Sequence, residues 1–86
     1  MKISVIIPVF NEFKTVGIII NKILELKDLD IQIILVDDFS TDGTRKLIQD
    51  KLSSKVDKVI FHSSNLGKGS AIISAKNFIK GDIVII

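Results

Sequence analysis

Blocks of apolar residues alternate with polar, turn-forming stretches along this chain, and the period inside the blocks changes. Residues 3–7 (Ile-Ser-Val-Ile-Ile) form a short β-branched run stopped by Pro8, which reads as a strand. Helical spacing takes over at Val16, with Ile19, Ile20, Ile23 and Leu24 on one face and Asn21, Lys22 and Glu25 on the other. After a break at residues 27–30, residues 31–36 form a second apolar run that ends in Asp37 and Asp38. A Ser/Thr/Asp/Gly cluster leads into a second helical pattern at about Arg45, with Leu47, Ile48 and Leu52 inward and fraying near Ser53 and Ser54. Ser40 is the expected N-cap, and Asp42 sits where the positive end of the helix dipole favours an acid.

A third, shorter strand spans residues 58–62 and is followed by the polar, glycine-bearing stretch 63–69. The third helix should bury Ala71, Ile72, Ala75, Phe78 and Ile79 and end at Gly81 in a left-handed C-cap. A fourth strand is expected over residues 82–86. The order β-α-β-α-β-α-β with short connections predicts an α/β fold: a parallel sheet of about four strands with helices on both faces. All three βα loops then lie along one edge of the sheet, outside the carboxyl ends of the strands, where open α/β folds bind ligands. An apolar fourth strand left at a sheet edge is a place where further chain or a second copy would pair.

Composition narrows the choices. The 86 residues are 47% hydrophobic with mean hydropathy +0.44, a Val/Ile-rich balance that suits parallel strands buried on both faces. A net charge of +2, from 12 basic and 10 acidic residues, gives no basic stripe for nucleic acid. The lack of cysteine excludes disulfides and thiolate metal sites, and a single histidine, His62, excludes a His-pair metal motif. Pro8 and Glu12 interrupt the first apolar run, so it does not read as a signal peptide. No apolar run approaches the roughly 18–20 residues that span a bilayer, and the expected location is cytoplasmic.

The three loops bring together Pro8–Glu12, Asp37–Asp42 and Asn65–Gly69 by number: carboxylates, an aromatic ring, an amide, a lysine and glycines. Acids at a strand end suit a ribose or the N–H edge of a base, and Lys68 between two glycines can reach a phosphate. Each residue also has a plainer reading. Glu12 fits as a first-turn helix acid, Asp37 and Asp38 as turn formers, Phe10 as a cover for the core, and His62 as a structural or surface histidine. The Gly67-Lys68-Gly69 spacing is not that of a P-loop. No G-x-G-x-x-G follows the first strand and no G-x-S-x-G is present, which excludes dinucleotide-binding and hydrolase-elbow readings. A receiver domain would carry its acidic pair after the first strand rather than the second, and a nucleotidyltransferase would need a glycine-rich loop where this chain has Pro8–Glu12 by number.

Three ordered blocks, residues 3–12 (ISVIIPVFNE), 36–44 (VDDFSTDGT) and 65–71 (NLGKGSA), together resemble the inverting, GT-A-type glycosyltransferases of the family that includes dolichyl-phosphate mannose synthase. The third block is similar to the polyprenyl-phosphate glycosyltransferase branch. The resemblance covers essentially the whole chain. It implies the Rossmann-like, nucleotide-sugar-binding N-terminal half of a GT-A domain over residues 1–86, incomplete at its C-terminal side. It implies that Pro8, Phe10 and Glu12 line the base and ribose, that Val36 and Asp38 contact the base, and that Lys68 lies near the nucleotide phosphates. Asp37 would orient the loop.

The donor would be a UDP- or GDP-sugar and the acceptor a polyprenyl phosphate at a membrane. The family's Asp-x-Asp, which holds Mg2+ or Mn2+, would follow Ile86, so the 86 residues alone are expected to be inactive. The alternative is an inactive nucleotide-binding or interaction module that keeps only the fold. Two positions depart from the family pattern. Phe10 stands where Tyr is common, and Phe39 stands where Gly is common and should resist positive φ, altering that turn.

Overall fold

The computed structural model describes residues 1–86. Four parallel strands, β1 (Lys2–Val9), β2 (Asp30–Asp37), β3 (Lys58–Phe61) and β4 (Ile83–Ile85), form one sheet in the order β3-β2-β1-β4. Helix α1 (Val16–Leu24) joins β1 to β2. Helix α2 (Thr44–Leu47) runs on as a π-helical turn, Ile48–Leu52, and a 3-10 turn, Ser53–Lys55, before β3. Helix α3 (Lys68–Ala75) and a 3-10 turn, Lys76–Phe78, lead to β4.

Alternation along the strands divides the core in two. Val9 and Leu35 pack with Val16, Ile20, Ile48 and Leu52, under α1 and the second helical segment. Ile6, Ile34 and Val36 pack with Ala71 and Ala75, under α3. Ile20, Ile34, Leu35 and Ile48 are wholly buried, and each such side chain contributes about 1.5–3 kcal/mol over leaving it in water. The small residues Ala71 and Ala75 let α3 lie close on the sheet.

Several local expectations are corrected. The first strand does not stop at Pro8: Pro8 pairs in register with Val36, and Val9 with Asp37. Because β4 pairs only with Ile3, Ser4 and Val5, this end of β1 has a neighbour on one side, where a missing N–H is tolerated. Ile19 and Leu24 are exposed rather than buried, because the sheet reaches only the Val16–Ile20 line of α1. Phe78 is likewise exposed.

Ser40 is not the cap of α2; Gly43 occupies that position at φ 99°, and Asp42 accepts from both the amide and the hydroxyl of Thr44. Gly81 is not in the left-handed region. Its missing side chain is what matters, since a Cβ there would lie 2.6 Å from the Ser4 nitrogen.

The turn after α3 is tied to the sheet by a buried polar network. The Ser4 hydroxyl donates to Gln32 Oε1 at 2.6 Å and accepts the Gly81 N–H at 2.8 Å. Gln32 Oε1 also accepts the Lys80 N–H at 2.9 Å, and Gln32 Nε2 donates to the Phe78 carbonyl at 2.7 Å. Every buried side-chain nitrogen and oxygen of the chain has a partner. This closure starts β4 in register beside β1.

Candidate functional site

The chain steps one way from β1 to β2 to β3 and then returns to the other side of β1 to form β4. The order therefore reverses between β1 and β4, and loops leaving such a switch point diverge to open a crevice at the carboxyl ends of the strands. A cleft of about 300 Å³ lies there, lined by Pro8, Val9, Phe10, Glu12, Asp38, Lys68 and Ile86. Five of the six expected site residues share it: Pro8, Phe10, Glu12, Asp38 and Lys68. Val36 does not line it. Its side chain is wholly buried against α3, because inward alternation along β2 points it into the core.

The cleft wall is held by bonds between loops. The Asn11 N–H donates to the Ser40 hydroxyl at 2.9 Å, and the Thr41 N–H donates to Asn11 Oδ1 at 2.8 Å. Asn11 accordingly takes a positive φ of 52°, which asparagine tolerates. Phe10 stands nearly half exposed on this wall. Glu12 accepts the Thr15 hydroxyl at 2.7 Å and so also serves the first turn before α1.

Asp37 and Asp38 point to different tasks. The Asp37 carboxylate is wholly buried and accepts the Ser40 hydroxyl at 2.5 Å, the Ser40 N–H at 3.1 Å and Arg45 Nε at 3.0 Å. Arg45 Nη2 donates to the His62 carbonyl at 2.6 Å, and the guanidinium lies 4.9 Å from the Phe61 ring and 5.7 Å from the Phe39 ring. This clamp accounts for a second correction: Phe39 does adopt positive φ, at 66°. Such a residue carries a strain of about 1–3 kcal/mol and persists only when its surroundings over-determine it. Here the flanking Asp38 and Ser40 amides are bonded to Val9 and Asp37, and Arg45 faces the ring.

Asp38 is buried at the cleft floor. Its Oδ1 accepts from His62 Nδ1 and from the Leu66 N–H, and its Oδ2 accepts the Gly67 N–H, each at 2.8 Å. The His62 bond first, and then the Leu66 and Gly67 amides, hold its carboxyl below the usual aspartate value of 3.8 against the opposing cost of burial. The His62 ring is buried too, and its Nε2 meets the Ser74 hydroxyl at 2.7 Å. Neither His62 nor Arg45 stood out as a site residue in sequence. A lone histidine closing a strand beside an acidic pair was the only signal.

A carboxyl with a depressed folded pKa binds fewer protons in the native state than in the unfolded chain. Its stabilisation is complete above pH 3.8 and lost as pH falls through the lower folded value. Asp42, lowered chiefly by the Thr44 hydroxyl, acts in the same direction. Thermal melts are therefore expected to fall steeply below about pH 4, and less steeply in Asp38→Asn, whose group at that position does not titrate. Equal acid limbs for the two proteins would remove Asp38 from this linkage.

A divalent cation does not fit the residues present. No cluster of three or more histidine or carboxylate ligands forms, and three of the roughly four acceptor positions of Asp38 are already taken by N–H groups. No helix is long and apolar enough to cross a membrane.

A half-sheet of this order with its cleft at the β1–β4 reversal is the Rossmann-like half of a GT-A glycosyltransferase fold. The chain belongs to glycosyl transferase family 2, whose sequence model matches residues 4–86. It is 32% identical over 88 residues to the undecaprenyl-phosphate 4-deoxy-4-formamido-L-arabinose transferase of Aeromonas hydrophila, covering 96% of this chain and 27% of that protein. It is 30% identical over 89 residues to the bactoprenol glucosyl transferase of Shigella phage SfV, covering 99% of this chain and 29% of that one. The chain thus spans under a third of the length of these relatives.

Among solved structures, the mannosyltransferase PcManGT from Pyrobaculum calidifontis, in complex with GDP-Man and Mn2+, matches with TM-score 0.80 and 25% identity over 95% of this chain and 25% of its own. The mannosyl-3-phosphoglycerate synthase from Rubrobacter xylanophilus matches with TM-score 0.77 and 31% identity, over 98% of this chain and 29% of its own.

Proposed function

We propose that residues 1–86 form the nucleotide-sugar-binding part of an inverting glycosyltransferase. The donor is a UDP- or GDP-sugar and the acceptor a polyprenyl phosphate at the cytoplasmic face of a membrane. The observation that carries this reading is the gathering of Pro8, Phe10, Glu12, Asp38 and Lys68 around one cleft at the switch point of the sheet. Phe10 offers a ring face to a base, Asp38 an acceptor to its N–H edge, and Lys68 a cation to a phosphate. The two relatives support the acceptor class, since both are named for transfer involving a polyprenyl carrier.

Mg2+ or Mn2+, the latter present in the Pyrobaculum complex, would be held by residues outside this chain. The outer edge of β4, which pairs only with β1, is where a further strand or a second copy would add.

Calorimetry with UDP and GDP tests the reading. One of the two is expected to bind, and Asp38→Ala to weaken it by about tenfold or more, the loss of a hydrogen bond to a charged group being worth about 1.5–3 kcal/mol. Equal affinity in a folded Asp38→Ala variant would remove Asp38 from the site.

A further inference from the structure

We propose that His62, braced by Ser74, is a positioning residue that aims the Asp38 carboxylate into the nucleotide cleft. This assignment rests on the nucleotide reading of that cleft. An ionised carboxylate offers about four acceptor positions. Three are taken inside the protein: His62 Nδ1–H and the Leu66 N–H on Oδ1, and the Gly67 N–H on Oδ2. What remains for a ligand is one acceptor position on Oδ2, and Asp38 shares the cleft lining with Phe10 and Lys68. The direction of that remaining lone pair is set by the three inward bonds, and His62 supplies the only one of them made by a side chain.

His62 is held at both its backbone and its ring. Its backbone N–H donates to the Asp37 carbonyl at 2.9 Å, and its carbonyl accepts Arg45 Nη2 at 2.6 Å. An ionised Asp38 only accepts, so Nδ1 carries the proton toward it; in the neutral ring Nε2 then accepts the Ser74 hydroxyl. Ser74 belongs to α3, whose Ala71 and Ala75 are buried against Ile6, Ile34 and Val36 of the sheet. A line of bonds therefore runs from α3 through the end of β3 to the end of β2 and into the cleft.

The order of contacts, hydroxyl to Nε2 and Nδ1 to carboxylate, is also that of a nucleophile triad. The placement is the reverse of a triad's, because Asp38 lines the cleft at the switch point while Ser74 lines none of the three clefts of the chain. Here the carboxylate faces the ligand, and the histidine and serine stand behind it.

The experiment compares His62→Ala, His62→Asn and the unaltered chain in two readouts. The first is calorimetric affinity for UDP and GDP at a temperature where circular dichroism shows all three folded. The second, taken without nucleotide, is the 1H–15N position of the Leu66 and Gly67 amides that donate to Asp38. An asparagine amide can stand where Nδ1–H stands and donate to Asp38 without the ring. His62→Ala is expected to weaken nucleotide binding by about tenfold and to shift both amides, the lost bond being one to a charged group. His62→Asn is expected to return affinity to within about threefold and the amides toward their original positions.

Unchanged affinity in folded His62→Ala would overturn the proposal, as would equal weakening by alanine and asparagine, which a merely structural histidine would give. If the unaltered chain binds neither nucleotide, the reading of the cleft fails. The positioning role is then decided by the amides alone: unmoved Leu66 and Gly67 resonances in His62→Ala overturn it.

Discussion

Asp37→Ala is expected to lower the stability of the fold by about 3 kcal/mol, shifting the thermal midpoint down by more than about 10 °C. The Asp37 side chain is wholly buried, and it alone satisfies the Ser40 amide and Arg45 Nε. Truncation leaves a guanidinium that is 30% exposed without its counter-charge and a part-buried N–H without an acceptor. Breaking a fully buried ion pair from one side costs about 3–5 kcal/mol, and the partial exposure of Arg45 places this case at the low end. A domain of this size has a total stability of only about 4–13 kcal/mol, so the loss is a large part of it. The strained Phe39 turn should loosen first, because Arg45 faces its ring only while Asp37 holds the guanidinium. Circular dichroism melts check the value, and a midpoint within about 3 °C of the parent would show that the clamp contributes little.

Gly81→Ala should be nearly as severe, at about 2–3 kcal/mol, for a reason unrelated to charge. The added carbon would lie 2.6 Å from both the nitrogen and the hydroxyl of Ser4 and 2.9 Å from the Lys2 carbonyl oxygen. Two of those atoms are backbone of β1, which cannot move without disturbing its ladder with β2. The strand register at Ile3–Ile83 and the Gly81 bond to Ser4 would have to give way. Gly69→Ala is the matching control. Nothing lies within 4 Å of its added carbon, and alanine in the first turn of α3 is expected to be neutral or stabilising by about 0.5 kcal/mol. Urea midpoints for the two variants should therefore move in different directions or by very different amounts; equal shifts would show that the Gly81 contact relaxes freely.

The element order and the sheet type were legible because they depend on periodicity within short windows. The runs before Pro8 and Asp37 are long enough and β-branched enough to read as strands, and the blocks around them carry the resemblance to the family. The placement of Pro8, Phe10, Glu12, Asp38 and Lys68 at one cleft also follows from topology, since parallel strands put their βα loops on one edge. Errors arose where one residue type serves several geometries. Ser40 looks like a helix cap by composition, but the carboxylate of Asp37, three residues earlier, takes its hydroxyl and amide. Gly81 looks like a left-handed cap, but its demand is for space against β1.

The sequence by itself thus determined the α/β order, the parallel sheet, the carboxyl-end cleft and the family. Each of these is encoded in local pattern and in the few ways that short crossovers can connect strands. Only the tertiary structure decided what each polar group binds. His62 meets Asp38 across 24 residues, Ser74 meets His62 across 12, and Gly81 meets Ser4 across 77. Such bonds form because burying a polar group is costly unless a partner stands beside it, and the partner is chosen by the packing of whole elements. Asp37 and Asp38 are identical neighbours in sequence, and they were divided into a loop anchor and a cleft acceptor by what the fold set against each of them.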